Sequence, residues 1–366
     1  MEVSRILVEK PFFSICIPQY NRTSFLIEAC KVLASQTFKN FEVCISDDRS
    51  NDGREQELID YLQNSGFSFV YQRQEKNLRY DGNIRASIAL ARGRYCLLHG
   101  NDDCLASTTT LDLLYEEIEK YDSVGVVIPN FEDWSTRQVT RRIRKSDLIG
   151  SGPEIAATHF RNVAFVTGVI LDRVQAQSHS TDKWDGSEMY QMFIMARILA
   201  SGSSLLELDI SAVRKDIQIT NESVDSYAAK PKLNPCPIVE RKLPFMHIGR
   251  LIADAIAPYL TPANKSKIIE KIFLQLYLFT YPFWIIEYRR VQSWNYAIGI
   301  CLGIKPKNVF FELDFGILRK IRLCILYFAI CLFGLSIPVG FFEKIKPFVY
   351  SISKSLFFKI NTRYSS

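Results

Sequence analysis

Over the first two hundred residues, short unbroken apolar runs alternate with amphipathic stretches, a rhythm that predicts strands alternating with helices. Residues 12–17 read as a buried strand closed by Pro18; Thr23 or Ser24 can then cap a helix with Leu26, Ala29, Cys30 and Leu33 at helical spacing. Residues 41–46 form a second strand, ending in Asp47-Asp48. Asn51-Asp52-Gly53 turns the chain into a helix with Leu58, Tyr61 and Leu62 inward and Gly66 as its stop, and 67–71 is a third strand. Residues 82–91 predict a helix, 95–98 a strand, 107–120 a helix and 124–128 a strand. Such alternation implies an α/β fold with a mixed, mostly parallel sheet flanked by helices.

Beyond Pro129 the regularity weakens until an apolar stretch at 165–171 and a buried helix at 190–200 stopped at Gly202. Pro231, Pro235, Pro237 and Pro244 stand among charges in residues 230–244, the expected linker between a first domain, 1–229, and a helical region, 245–366. In that region 272–286 is uncharged but interrupted by Pro282, and 323–342 runs for 20 residues without a charge. The second run is long enough to cross a bilayer, yet it contains Gly334, Pro338 and Gly340. Basic residues flank it on both sides: Arg319, Lys320 and Arg322 before, Lys344 and Lys346 after. A single crossing would show a one-sided excess, so a re-entrant or surface-lying segment fits better.

Charge sharpens this division. The formal net charge is +6, but residues 261–366 carry 15 Lys+Arg against 5 Asp+Glu, which leaves 1–260 at −4. A basic, aromatic end suits an anionic membrane surface, and nothing in the composition calls for a nucleic-acid partner. The nine cysteines are scattered with no close CxxC pair, so neither disulfides nor a zinc site is expected. Charges at Glu2, Arg5, Glu9 and Lys10 leave the first twelve residues without the apolar core of a signal peptide, so secretion is not expected.

Three polar stations fall at the ends of predicted strands: Pro18-Gln19-Tyr20-Asn21, Asp47-Asp48 and Asn101-Asp102-Asp103. In a parallel sheet such ends converge on one edge, where open α/β folds bind ligands, and adjacent carboxylates suit a divalent cation holding a diphosphate. Base, ribose and metal-bound diphosphate can then lie in sequence along one cleft. Each acid also has a plainer reading. Asp102-Asp103 and Asp47-Asp48 can be turn acids, Asp52 reads as a helix cap, and His99 as a packed, hydrogen-bonded histidine. The run Arg141, Arg142, Arg144, Lys145 reads as a solvated face, or else as a contact for an acceptor's diphosphate.

The run Ser14-Ile15-Cys16-Ile17-Pro18-Gln19-Tyr20-Asn21-Arg22, the run from Cys44 to Gly53 and the stretch 77–103 together resemble family-2 glycosyltransferases of the GT-A, Rossmann-like fold. The likeness extends over roughly residues 10–220 and points to the bacterial enzymes of O-antigen and capsule synthesis, abequosyltransferase-like proteins among them. It implies transfer of a sugar from a nucleoside-diphosphate sugar to a saccharide acceptor, with inversion, and use of Mg2+ or Mn2+. It places Pro18 and Tyr20 beside the nucleobase and Asp47 or Asp48 against base or ribose. Arg79 and Arg85 fall near the nucleotide, and Asp102 and Asp103 at the metal and diphosphate. The family's general base comes late in the domain, where the candidates are Asp185 and Glu188 in Trp184-Asp185-Gly186-Ser187-Glu188. One departure stands out: Gly100 occupies the place of the first acid of the usual Asp-any-Asp-Asp pattern.

With the basic end, these features lead to an expected enzyme on the cytoplasmic face of the bacterial inner membrane, peripheral or monotopic, acting on a polyprenyl-diphosphate-linked saccharide. The missing first acid keeps open a catalytically silent nucleotide-binding membrane scaffold. A nucleotidyltransferase would need a glycine-rich phosphate loop after the first strand, where Pro18-Gln19-Tyr20-Asn21 stands instead.

Overall fold

The computed structural model describes residues 2–220, 222, 244–291, 294–346 and 348–349. The proline-rich segment expected as a linker, 230–244, lies outside them except for Pro244. The chain divides into two compact units, Met1–Lys230 and Pro231–Ser366.

In the first unit the elements run β1 Glu2–Arg5, β2 Phe13–Gln19, α1 Thr23–Ala34, β3 Phe41–Asp47, α2 Glu55–Asn64, β4 Ser68–Arg73, α3 Arg79–Ala89, β5 Tyr95–Leu98 and β6 Cys104–Leu105. They continue with α4 Thr110–Ile118, β7 Val124–Asp133, β8 Val139–Thr140, β9 Asp147–Gly150, α5 Pro153–His159, β10 Ile170–Asp172, α6 Arg173–Ser178, α7 Tyr190–Ala200 and β11 Ser204–Lys215. Sheet order is β1-β4-β3-β2-β5-β10-β7-β11-β6, with β8 beside β7 and β9 beside β11. The centre, β4-β3-β2-β5, is parallel as the alternation predicts. Antiparallel β10 then bridges β5 to β7, and β1 closes the other edge.

Ile15, Ile17, Val43, Ile45 and Leu97 are fully buried against Leu26 and Leu33 of α1, Leu58 and Leu62 of α2, and Leu111 and Leu114 of α4. Each such burial is worth about 1.5–3 kcal/mol, which fixes strand register because a one-residue slip would move the whole apolar set to the sheet's other face, away from these helices.

Several elements differ from the sequence expectation. Pro18 does not close its strand but lies within it, paired with Ser46. Neither Thr23 nor Ser24 caps α1; the Asp52 carboxylate accepts the Thr23 N–H at 3.0 Å, so this cap comes from a loop 29 residues away. Arg79 heads α3 instead of lying in a loop before it. Of the apolar stretch 165–171 only the end joins a strand. β1 and the 12-residue β11 were not expected: one is charged, and the other interleaves polar residues with apolar ones.

The second unit is helical among its described residues: α8 Ile248–Ile256, α9 Pro262–Phe279, α10 Tyr281–Val291, α11 Trp294–Gly303, α12 Pro306–Val309, α13 Ile317–Ser336 and α14 Val339–Lys346. Phe273, Phe310 and Phe315 form its aromatic centre. The uncharged run 323–342 is broken: α13 and α14 meet at 106°, and no single described helix is long and apolar enough to cross a membrane. Arg289 stabilises the break by donating to the carbonyls of Gly334 at 3.0 Å, Leu335 and Ile337, groups that the end of α13 leaves unpaired.

Candidate active site

The carboxyl ends of β3, β2 and β5 lie side by side, so the three polar stations share one edge of the sheet. At the middle station, Gln19 is fully buried and Tyr20 is 46% exposed. Asn101 donates from its amide to Gln19 Oε1 at 2.8 Å and to the Asn21 carbonyl at 3.3 Å, which ties the end of β2 to the turn after β5.

At the β3 end both carboxylates are buried and shape backbone. Asp47 Oδ1 accepts the Ser50 N–H at 2.7 Å. Asp48 accepts from Leu78 N and, at 2.9 Å, from Arg79 N, and so anchors the start of α3. Burial pushes the Asp48 carboxyl above its ordinary value, Asp47 adds to the rise, and the two N–H groups oppose it. The Arg79 side chain is exposed at the rim.

Past β5 the acids divide. Asp102 is partly exposed and pairs with Arg22. Asp103 is 4% exposed; Thr167 Oγ1 donates to its Oδ2, and the Asp216 N–H to its Oδ1 at 2.9 Å. Burial and the neighbouring Asp102 charge push the Asp103 carboxyl up to about 7 despite those two bonds. The glycine where a first acid was expected lies close against both remaining acids. A Cβ on Gly100 would stand 2.8 Å from Asp103 Oδ2, 3.0 Å from Thr167 Oγ1 and 3.2 Å from Asp102 Oδ1. A side chain there would require the Asp103 carboxylate to shift and would crowd Thr167 and Asp102.

Thr167 is held in turn. Arg142, half-buried and drawn down to about 9 by desolvation of its guanidinium, donates to the carbonyls of Asn162 at 3.0 Å, Phe165 at 2.8 Å and Thr167 at 3.4 Å. Within the basic run, then, Arg142 is an internal clamp and not part of a solvated face. His99 is packed as expected, with Nδ1–H donating to the Gly100 carbonyl at 2.7 Å; its buried Nε2 has no hydrogen-bond partner, and burial draws its pKa down to about 4.

The two base candidates differ sharply. Asp185 is engaged by Arg85 through two N–H···O contacts, one at 2.8 Å, which ties Arg85 to this loop. Glu188 is half-buried and has a left-handed backbone, φ 56°. That conformation is held by Asp81, a buried residue the sequence reading passed over. Its carboxylate accepts N–H groups from Gly186 and Glu188 at 2.9 Å and from Tyr190 at 3.0 Å, fastening the loop to α3.

Residues 14–172 match the family model for glycosyl transferase family 2. The first unit carries a family-2 glycosyltransferase domain. The domain's mixed sheet flanked by helices is of the GT-A kind, and the chain is similar to residues 1–349 of S. aureus TarS, solved in complex with UDP. That likeness has 16% identity, covers 88% of each chain and gives a TM-score of 0.57. The abequosyltransferase RfbV of Salmonella typhimurium is 42% identical over 95 residues, 25% of this chain and 28% of that protein. A GalNAc(5)-diNAcBac-PP-undecaprenol beta-1,3-glucosyltransferase of Campylobacter jejuni is 26% identical over 114 residues, 31% of this chain and 37% of that one. The chain thus spans about a third of the length of these two relatives.

Among the described residues no cluster of three or more His, Cys, Asp or Glu can cage a metal ion. Asp102 and Asp103 of the glycosyltransferase domain nonetheless fit one. A Mg2+-type ion is commonly bound by one or two carboxylates together with substrate phosphate oxygens, and two adjacent acids, one buried beside the other's charge, are such a donor set.

Proposed function

We propose that the protein transfers a sugar from a nucleoside-diphosphate sugar to a lipid-linked saccharide in bacterial surface-polysaccharide synthesis, with inversion at the anomeric carbon. The observation that carries this reading is the convergence of Gln19-Tyr20, Asp47-Asp48 and Asp102-Asp103 on one edge of a parallel sheet centre inside a family-2 domain. Tyr20 offers an exposed ring for the base, with Pro18 beside it; the β3 end, with Asp47 and Asp48, frames base and ribose. Asp102 and Asp103 take the diphosphate end with its Mg2+ or Mn2+, and exposed Arg79 lies at the rim. Such an ion would neutralise charge on the leaving diphosphate as a Lewis acid.

In the transfer step the acceptor hydroxyl oxygen forms a bond to the anomeric carbon as the bond from that carbon to the β-phosphate oxygen breaks. The bonding pair leaves on the nucleoside diphosphate, and the hydroxyl proton passes to a carboxylate. We assign that task to Glu188, whose backbone is set by buried Asp81; Asp185, the other candidate, is paired with Arg85.

A lipid-linked acceptor is supported by the substrate in the C. jejuni relative's name and by the second unit's chemistry. Along α13, Ile317, Leu318, Ile321, Ile325, Phe328 and Leu332 are all exposed, by 49% to 79%, at spacings that line one helix face. An apolar face beside a basic surplus suits interfacial binding at the inner membrane's cytoplasmic face, without a crossing.

Asp102→Asn and Asp103→Asn test the reading. Each variant should retain its melting temperature within a few degrees and lose transfer to extracted lipid-linked acceptor. A folded double variant with full transfer overturns it. A wild-type protein that is stabilised by nucleoside diphosphates, yet transfers nothing from any donor, favours the silent scaffold.

A further inference from the structure

The turn between β2 and α1 is unusually constrained for a surface loop. Asn21 and Arg22 are consecutive non-glycine residues with left-handed backbones, φ 51° and 57°. Such conformations cost free energy and persist where the surroundings over-determine them. Here Ser50 Oγ accepts the Asn21 N–H at 2.8 Å, Asn21 Oδ1 accepts the Asn51 N–H at 2.7 Å, and Gln19 and Asn101 both donate to the Asn21 carbonyl. The Asp52 carboxylate accepts the Thr23 N–H just beyond the pair.

The outcome is the aim of one side chain. Arg22 crosses from the β2 end to the β5 end, lies over the Phe25 ring with its guanidinium carbon 4.7 Å from the centroid, and pairs with Asp102. Both partners are 18% exposed, so this pair is more shielded than a solvent-swept surface bridge. A guanidinium is permanently charged, and its planar fork can serve a carboxylate and phosphate oxygens together. It stands beside the acid proposed for the donor's diphosphate, in a loop that has Gly100 where a third carboxylate was expected.

We propose that Arg22 is a diphosphate-binding cation of the donor site, held in place by Asp102 and supplying part of the charge neutralisation that a fuller set of metal-binding acids would otherwise recruit. This rests on the donor-site reading above. Two consequences separate it from a role in which Arg22 merely props Asp102. Nucleoside diphosphate binds measurably without divalent metal, through Arg22. Conversely, removing Arg22 releases Asp102 and strengthens binding of the metal alone.

The test is calorimetric titration of wild type and Arg22→Gln with UDP, GDP and CDP, in EDTA and in Mn2+, together with Mn2+ alone followed by paramagnetic resonance. Arg22→Gln is expected to lose at least tenfold in metal-free affinity for whichever diphosphate wild type prefers, to lose less in Mn2+, and to bind Mn2+ alone more tightly. Equal metal-free affinity in the two proteins overturns the inference. So does a loss of the same factor with and without Mn2+. If wild type binds no nucleoside diphosphate under either condition, the donor-site reading falls and takes this one with it. Should the melting curve show Arg22→Gln unfolded, Arg22→Lys keeps the charge without the fork. Its metal-free affinity should then be intermediate, and affinity equal to wild type overturns the role of the fork.

Discussion

Glu188 and Asp185, three residues apart, illustrate how environment assigns roles to like side chains. Asp81 holds the Glu188 backbone in a left-handed conformation, while Arg85 occupies Asp185. Glu188→Gln should therefore lower kcat for transfer by about 10²–10⁴, the usual worth of a general base, and change the donor KM by only a few-fold. Asp185→Asn should cost clearly less. Steady-state kinetics on one acceptor checks both, and a larger loss at Asp185 would reverse the assignment. Neither Asp81 nor Thr167 was readable as a site residue, because each acts on partners 64 to 109 residues away. Asp102 and Asp103 were readable, since a paired acid ending an apolar run is a local signal.

Among the elements, α13 is where the sequence left the most open. Twenty uncharged residues allow a span, a buried core helix or an interfacial helix, and hydropathy alone ranks them poorly. The structure ends α13 at Ser336, turns the chain by 106° and holds the turn with Arg289. One face packs, with Ile285 lying 2.7 Å from where a Cβ on Gly334 would be, and the other stays exposed. Phe328→Asp with Leu332→Asp should thus leave the melting temperature nearly unchanged, because both side chains are 70% exposed. Co-sedimentation with vesicles containing anionic lipid should fall at least tenfold. Undiminished binding by the double variant would remove α13 as the contact.

Stability against pH belongs to the whole molecule, and here two buried groups oppose one another. His99, depressed to about 4, is kept neutral by the fold; its contribution is full above the unfolded value of about 6.5 and is lost as pH falls toward 4. Asp103, raised to about 7, is kept protonated by the fold, so its contribution is full below about 4 and is lost as pH rises toward 7. Each amounts to roughly 3–4 kcal/mol at about 1.4 kcal/mol per pKa unit, so the wild-type slope between pH 7 and pH 4.5 is a small difference. Urea unfolding without divalent metal should show His99→Gln gaining stability on acidification relative to wild type and Asp103→Asn losing it. Parallel curves would show that neither group titrates as its burial dictates. The sequence by itself determined the alternating order of the central strands and helices, the acids at strand ends and the break in character before the basic end. All of these follow from periodicity, turn residues and charge within a few neighbours. Tertiary structure alone decided that Pro18 stays in its strand, that Asp52 caps a helix behind it in the chain, and that Arg142 is an internal clamp. It also decided that Arg85 engages Asp185 and that Asp81 sets the Glu188 backbone. Those outcomes depend on which buried donors and acceptors meet across the fold, and only the packed chain brings such partners together.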